Sequence, residues 1–283
     1  MVTLPSKRPA AVDGVVHAPW AEAAPDFAIG LRPIAADAWL EGGEADPAAR
    51  KDPLFASHRD EVWAALPGSE PGQAEALEFV RAAGAAVEAR DDLPPLYAAA
   101  RAVADDLCLM ENCDGAWTLT ALSLSAGSFF TAHEAIGKPL KDLHAPVPGF
   151  GERFLTRVAR IFDALRPEMI LERRNWSVMA GDDLFAPDGD AVRARIPDIE
   201  PGEAGDRVFV RVERQTIRRL PATGGVLFTI RIWRHPLAAL DADPVRRAAF
   251  AQAWRGATPD LRAYKRFAAY DELVEGYLRA RGE

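Results

Sequence analysis

The hydrophobic pattern of the chain has helical spacing in its first part and then changes to strand-like alternation. Three segments repeat apolar residues every three or four positions, which is typical of amphipathic helices: 50–66, 71–87 and 96–105. From Leu107 the spacing shortens to every second residue, and Asp114-Gly115 is a typical two-residue hairpin turn. We therefore predict helices followed by an antiparallel hairpin over 107–125.

The second half of the chain alternates between the two patterns. The pattern predicts a helix over 152–165, strands over 168–180, 207–218 and 226–234, and C-terminal helices over 244–254 and 259–281. This order predicts an α+β fold of about five antiparallel strands with helices on one face. We expect a single domain over 1–283, with a core at 95–237 and helical extensions at 46–95 and 243–283. Residues 1–45 are predicted to be an extended lead-in, and 27–34 is a candidate edge strand.

The composition of the chain indicates which partners and which cellular location to expect. The net charge of −8 argues against nucleic acid or an anionic membrane as the main partner. No apolar run reaches membrane-spanning length, and the N-terminus lacks a secretory pattern, so we expect a cytoplasmic protein. Cys108 and Cys113 have no metal-binding spacing and are expected to be free buried thiols.

Common catalytic signatures are absent from the sequence. It contains no Gly-rich dinucleotide fingerprint after a strand, no phosphate-binding loop, no nucleophile elbow and no HExxH zinc motif. His133-Glu134 begins like the zinc motif, but Gly137 stands where the second histidine belongs. This pair is therefore predicted to lie at the start of a surface helix.

One stretch, GKPLKDLHAPVPGF over 137–150, frames a single histidine between a short amphipathic segment and two prolines. Pro146 and Pro148 restrict the backbone, and Gly149 permits a sharp turn afterwards. His144 is therefore expected to be held rigidly, as a metal ligand must be. The alternative is a loop histidine that hydrogen-bonds a nearby carbonyl, and the spacing does not decide between the two.

Three consecutive polar residues interrupt a strand that is otherwise built for burial: Glu213, Arg214 and Gln215. Buried charges need partners, because an unpaired one costs several kcal/mol. The group is either a structural pair that ties strands together or a polar wall over a bound ligand. RNWS over 174–177 and LFTIRIWRHPL over 227–237 are two further strand segments of this mixed character.

Taken together, these segments resemble a known family. HAPVPG, RNWS, ERQTIRRLP…GGVLFTIR and the earlier LCLME…GAWTLTA…IGKPL are similar to the haem-dependent oxidative N-demethylases, of the dimethylamine monooxygenase α-subunit type. The resemblance covers about 46–235. It implies a PAS-like core that binds haem b, with O₂ as oxidant. It also implies electrons from NADPH, delivered by a partner subunit that carries FMN and an iron–sulfur cluster.

The haem and O₂ that the resemblance implies lead to expected roles for individual residues, of which only that of His144 comes from the family motif itself. His144 falls on the histidine of the HAPVPG motif and is expected to be the proximal iron ligand. Glu213, Arg214 and Gln215 would polarise O₂ and orient a small secondary amine such as dimethylamine, which is oxidised to a primary amine and formaldehyde. The haem propionates would pair with arginines, namely Arg173, Arg218 and Arg231.

Two alternative functions remain beside the enzyme. A PAS-like core serves equally well as a gas sensor or haem carrier without turnover, because a fold does not fix a function. The third possible function is that of a structural protein that has lost its haem. If His144 is not the ligand, the alternative ligands are His58, His133 and His235.

Overall fold

The computed structural model describes residues 14–23, 26–88 and 90–283, and the α+β class is confirmed. Residues 1–13 of the predicted lead-in lie outside the described residues. Within these ranges, an antiparallel sheet has seven strands: β1 (Arg32–Ile34), β2 (Trp63–Ala65), β3 (Asp106–Cys113), β4 (Ala116–Ser123), β5 (Ile170–Ala180), β6 (Val208–Arg219) and β7 (Val226–Pro236). Their order in the sheet is β1-β5-β6-β7-β3-β4-β2.

The two strands beyond the predicted five are the short ones at the sheet edges. β1 lies within the segment that the sequence marked as a candidate edge strand, and it pairs with β5. β2 lies inside a segment predicted to be helical, where Trp63 pairs with Ser123 of β4. Three residues are too few to establish an alternating pattern, so neighbouring helical spacing dominated the prediction.

The β3–β4 hairpin has the predicted turn. Asp114 and Gly115 have φ angles of 52° and 85°, the left-handed geometry of a tight hairpin turn. The Gly115 N–H donates to Asn112 Oδ1 at 2.9 Å, which closes the turn. Farther along, a register shift between Leu109 and Met110 marks a β-bulge.

The chain divides into two compact units, and the prediction of one domain over 1–283 stays a prediction. Unit 1 contains the described residues of Ile29–Arg173 and Gln215–Arg231. Its helices are α1 (Pro47–Ser57), α2 (Arg59–Val62), α3 (Glu70–Ala82), α4 (Pro95–Arg101), α5 (Ala132–Ala135), α6 (Leu140–Leu143), α7 (Phe150–Arg153) and α8 (Leu155–Ala164). Asp46 caps α1 by accepting a hydrogen bond from the Ala49 N–H at 3.0 Å.

Helices of unit 1 contact both faces of its sheet. On one face, Trp117 packs edge-on against Phe162 of α8, with ring centroids 5.5 Å apart, and Met110 belongs to the same buried cluster. On the other face, a Cβ at Gly72 of α3 would lie 2.8 Å from Leu109 Cδ2. The prediction of helices on one face is therefore wrong. The run LCLM of β3 is buried on both sides, which is typical of a strand covered on both faces.

Unit 2 contains the described residues of 14–28, together with Arg174–Arg214 and Ile232–Glu283. Its helices are α9 (Gly189–Arg193), α10 (Ala204–Arg207), α11 (Pro244–Gly256), α12 (Pro259–Tyr264) and α13 (Asp271–Arg279). The predicted helix over 259–281 is interrupted, because Arg266 adopts the left-handed conformation with φ of 55°. No helix in the described ranges is long and apolar enough to cross a membrane.

The core of unit 2 is rich in aromatic residues. Trp176 of β5 contacts Trp20, Phe250 and Phe267, with ring centroids between 5.3 and 5.7 Å apart. Lys265 Nζ donates to Asn175 Oδ1 at 2.8 Å beside this cluster. The RNWS segment therefore serves the packing of unit 2.

His235 fastens the N-terminal segment within unit 2. Its Nε2 accepts a hydrogen bond from the Val16 N–H at 3.2 Å, which requires a neutral ring. Burial, together with the positive charges of the nearby His17 and Arg234, lowers the pKa of His235 to about 4.

Unit 2 is therefore expected to lose stability in mild acid. Between pH 6.5 and about 4 the unfolded chain binds a proton that the folded His235 does not, so the free energy of unfolding falls as the pH drops through this window. The expected loss is about 1–2 kcal/mol for a half-buried group. Denaturant titrations at several pH values measure it. His235→Gln keeps an acceptor but does not titrate, so parallel curves for the two proteins would contradict the assignment.

Candidate functional site

His144 lies in unit 1 at the C-terminal end of α6. Its ring Nδ1 is 2.9 Å from the carbonyl oxygen of Leu140, one helical turn earlier. A carbonyl oxygen only accepts, so Nδ1 carries the proton and donates. This tautomer leaves the lone pair on Nε2, which is the arrangement of a histidine that binds a metal through Nε2.

The chain after His144 folds back and fixes the ring from one side. The Val147 N–H donates to the His144 carbonyl at 2.9 Å, and the Phe150 N–H donates to the Val147 carbonyl at 3.1 Å. Gly149 adopts a φ of 67°, as a sharp turn requires. Phe150 then stacks on His144, with ring centroids 4.2 Å apart and planes 8° apart.

The environment of His144 keeps its ring neutral at pH 7. Burial lowers the pKa of His144 below its usual value, and the positive charge of Arg173 lowers it further, against the opposing effect of the Leu140 hydrogen bond. Neutral imidazole is the form that binds metals.

Strand alternation decides which predicted residues share a face with this histidine. Leu143 packs against the same buried cluster as Leu171 of β5, Ile217 of β6 and Phe228 of β7. We call the sheet surface that carries these three strand residues the ligand face. Arg173 lies two positions from Leu171, and Gln215 two positions from Ile217, so both are on the ligand face.

Half-buried apolar side chains surround the ligand face. They pack against the buried cluster of unit 1 from α6, α8, β5, β7 and the turn before β5, and include Leu143, Leu155, Val158, Met169, Leu171 and Phe228. The ligand face therefore combines the imidazole of His144 with apolar side chains that are not fully buried by unit 1.

Arg218 and Arg231 lie on the opposite face of the sheet. Thr216 and Thr229 hydrogen-bond there at 2.7 Å, and these arginines are two positions farther along the same strands. Arg218 has its guanidinium between the rings of Trp39 and Phe79, 4.7 Å from each centroid. The structure therefore does not bring these two arginines together with His144, and their pairing with propionates stays a prediction.

Arg231 belongs to a buried ionic group on that opposite face. Its Nη1 is 3.8 Å from Glu44 Oε2, and Glu44 also pairs with Arg50 at 2.7 Å. Burial lowers the pKa of Arg231, against the opposing effects of Asp105 and Glu44.

The three predicted catalytic residues are divided between the faces of β6. Glu213 and Gln215 alternate with Arg214 along the strand, so they point to one side and Arg214 to the other. Arg214 is 1% exposed. Gln215 belongs to unit 1, whereas Glu213 and Arg214 belong to unit 2. A common role for all three on one face is therefore not supported, and their catalytic roles stay predictions.

The alternative histidines have other surroundings. His58 is exposed and its Nδ1 contacts Ser57 Oγ at 2.8 Å. His133 is also exposed, next to a capping box formed by Thr131 and Glu134, as the predicted surface helix start requires. His235 Nε2 already accepts from the Val16 N–H. No group of three or more His, Cys, Asp and Glu side chains that would hold a metal ion occurs within the described ranges.

The two cysteines differ in exposure. Cys108 is buried, and burial raises the pKa of its thiol. Cys113 is exposed, so the prediction that both thiols are buried is wrong for this residue. It lies beside the hairpin turn, where the strand leaves the core.

The hydrogen bond from His144 to a nearby carbonyl, which the alternative interpretation of the sequence predicted, is present, and its acceptor is Leu140. The Leu140 carbonyl lies four residues, or one helical turn, before the histidine. The sequence did not identify the stacking of Phe150 on His144, because the turn that Gly149 allows does not by itself fix where the Phe150 ring lies.

The chain was compared with known proteins. A family model described as haem-dependent oxidative N-demethylase, alpha subunit-like, matches residues 82–275. The match includes His144, Arg173 and the whole of β3 to β7. Among curated proteins, none matches the chain.

Proposed function

Because the chain belongs to the haem-dependent oxidative N-demethylase, alpha subunit-like family, we propose that it binds haem b and oxidatively removes a methyl group from a small secondary amine. The proposed fold of its core is PAS-like, the proposed substrate resembles dimethylamine, and the proposed location is the cytoplasm. Electrons would come from NADPH through a partner subunit carrying FMN and an iron–sulfur cluster.

The observation that carries this proposal is the geometry of His144. A ring that donates from Nδ1 to a backbone carbonyl presents Nε2 as a strong and oriented ligand. The donor set suits haem, since a single histidine with an outer hydrogen-bond partner is a typical proximal ligand. The half-buried apolar residues of the ligand face suit the macrocycle.

Residues of this chain would then position the reactants. His144 would hold the iron, and Phe150 would keep the imidazole plane in place. Arg173, on the ligand face, would pair with a propionate. Gln215, on the same face, would offer an amide to orient the amine. The apolar side chains of α8 would exclude water.

Bound haem supplies the activation of O₂, which needs two electrons and two protons from outside. One oxygen atom enters a methyl C–H bond of the amine and the other leaves as water. The resulting carbinolamine breaks its C–N bond, and the hydroxyl proton moves to nitrogen. The products are formaldehyde and a primary amine.

Amine-dependent formaldehyde release from the haem-loaded protein tests the proposal. With photoreduced free flavin as electron source, dimethylamine and O₂ are expected to give formaldehyde and methylamine in equal amounts. The control omits the amine. Haem that binds O₂ but gives no amine-dependent formaldehyde would instead favour a sensor or carrier.

A further inference from the structure

Two adjacent aromatic side chains are exposed on a loop of unit 1. Phe129 is 50% and Phe130 38% exposed, in a chain region where other large apolar residues are buried. They belong to residues 127–130, which we call the aromatic loop. Exposed aromatic residues next to each other are typical of anchors in protein–protein interfaces.

The aromatic loop has a constrained backbone. Phe129 has a φ of 67°, a left-handed conformation that is a genuine outlier for a bulky residue. A Cβ at Gly127 would come within 2.8 Å of Leu124 Cδ2, so the loop is packed closely on the core beneath it. Strained backbone of this kind persists where surrounding structure holds it, and it is concentrated at functional sites.

A buried ionic group holds the start of the loop. Asp106, which is fully buried, accepts hydrogen bonds from the Ser125 and Ala126 N–H groups at 2.7 and 2.8 Å. Arg50 Nη1 donates to Ser125 Oγ at 2.8 Å. The two phenylalanines are therefore presented on a preorganised support, which lowers the entropic cost of binding a partner.

A surface pocket lies close to the loop along the chain. Its lining includes Trp63 and Ala65 of β2, together with His133 and Ile136, which follow the loop by a few residues. Among the described strands, β2 is the last of the sheet, so none of them covers its outer edge. The loop, the pocket and the strand edge belong to one region of unit 1.

This region is connected to the His144 segment by a short stretch of chain. The Gly137 N–H donates to the Leu119 carbonyl at 2.9 Å, and Pro139 bridges to Thr118, so the stretch runs along β4. Ile136 and Leu143 pack against the same buried cluster. The aromatic loop and the helix that ends at His144 are therefore joined by a stretch of chain that is fixed along β4.

The composition of the chain indicates the kind of protein that would bind at the aromatic loop. Its two cysteines are fewer than the four that ligate most iron–sulfur clusters, and no group of three or more potential metal ligands occurs among the described residues. The matched family is described as an alpha subunit. We propose that the aromatic loop and the neighbouring pocket are the docking surface for the electron-donating partner subunit, an inference that rests on the proposed function.

The test compares two electron sources on the haem-loaded protein. Photoreduced free flavin needs no docking surface, whereas an extract of the source organism supplied with NADPH contains the partner protein. Phe130→Ser is expected to lower amine-dependent formaldehyde release at least about tenfold with the extract. With free flavin the same variant is expected to match the unchanged protein.

The matched control is Val245→Ser, which removes an exposed apolar side chain from α11 of unit 2 and is expected to change neither rate. Equal rates for Phe130→Ser and the unchanged protein with the extract would overturn the docking surface. A loss with both electron sources would also overturn it, because the residue would then serve the fold or the haem site. A third outcome would also overturn the docking surface: the chain forms a dimer, and Phe130→Ser dissociates this dimer without slowing formaldehyde release with the extract. No formaldehyde from the unchanged protein with free flavin would instead contradict the proposed function.

Discussion

His144→Ala is expected to abolish the sharp Soret band of the haem-loaded protein and to weaken haem binding at least about 100-fold. The ring of His144 has the tautomer and the fixed orientation that a metal ligand requires. Its Nδ1 proton is committed to the Leu140 carbonyl, and Phe150 stacks against its face. Alanine removes the ligand atom and leaves the apolar surface, so residual haem is expected to bind without a fixed axial partner.

The measurement is a haem titration followed by absorption spectroscopy. His133→Ala is the matched control, because His133 lies in the same stretch of chain but is exposed at a helix start, and its spectrum is expected to be unchanged. Added imidazole is expected to restore part of the Soret band in His144→Ala by filling the position of the lost ring. An unchanged band in His144→Ala would contradict the ligand assignment and transfer it to another histidine.

The sequence predicted the elements whose hydrophobic spacing extends over many residues. The β3–β4 hairpin was predicted because its alternation spans both strands and Asp114-Gly115 favours one turn geometry. β1 and β2 have three residues each, which is too short to show a period. The break at Arg266 was not predicted either, since a left-handed arginine carries no sequence signal.

The candidate site was predicted only in part, for a reason that lies in strand geometry. Because side chains alternate along a strand, Arg231 of β7 lies on the opposite face from Phe228 and Ile230. The alternation does not reveal which of the two faces lies next to His144. That face is decided by the buried cluster that contains Ile217 and against which Leu143 and Phe228 pack, so it depends on distant parts of the chain. The three arginines were therefore all predicted to pair with the haem propionates, although Arg173 lies on the ligand face and Arg231 on the opposite face.

Asp106→Ala is expected to lower the free energy of unfolding by about 3–5 kcal/mol. The Asp106 carboxylate is fully buried, and its two oxygens accept hydrogen bonds from the backbone of Ser125 and Ala126 and from Ser125 Oγ. Removing it leaves buried donors without their acceptor. It also removes a negative charge beside Lys51, which is 1% exposed.

Lys51 makes this loss larger than that of an ordinary hydrogen bond. Burial lowers the pKa of Lys51 to about 8, and the charge of Asp106 is the largest effect that opposes this shift. Without Asp106, the ammonium must remain charged at a greater cost or lose its proton. Its Nζ donates to the Ala100 carbonyl at 2.9 Å, and a neutral amine is a weaker donor there.

Denaturant titration of the full chain measures the effect, and Asp106→Asn separates its two causes. Asparagine keeps one acceptor oxygen but no charge, so a loss of about 1–3 kcal/mol is expected, between the alanine variant and the unchanged protein. Glu168→Ala is the surface control, since Glu168 is exposed and pairs with an exposed Arg166, and no measurable loss is expected. Equal stabilities for Asp106→Ala and Glu168→Ala would contradict the role of this carboxylate in anchoring the end of β4. Equal losses for asparagine and alanine would indicate that the charge, rather than the acceptor atoms, holds the chain at Ser125, because both variants lack the charge and only asparagine keeps an acceptor.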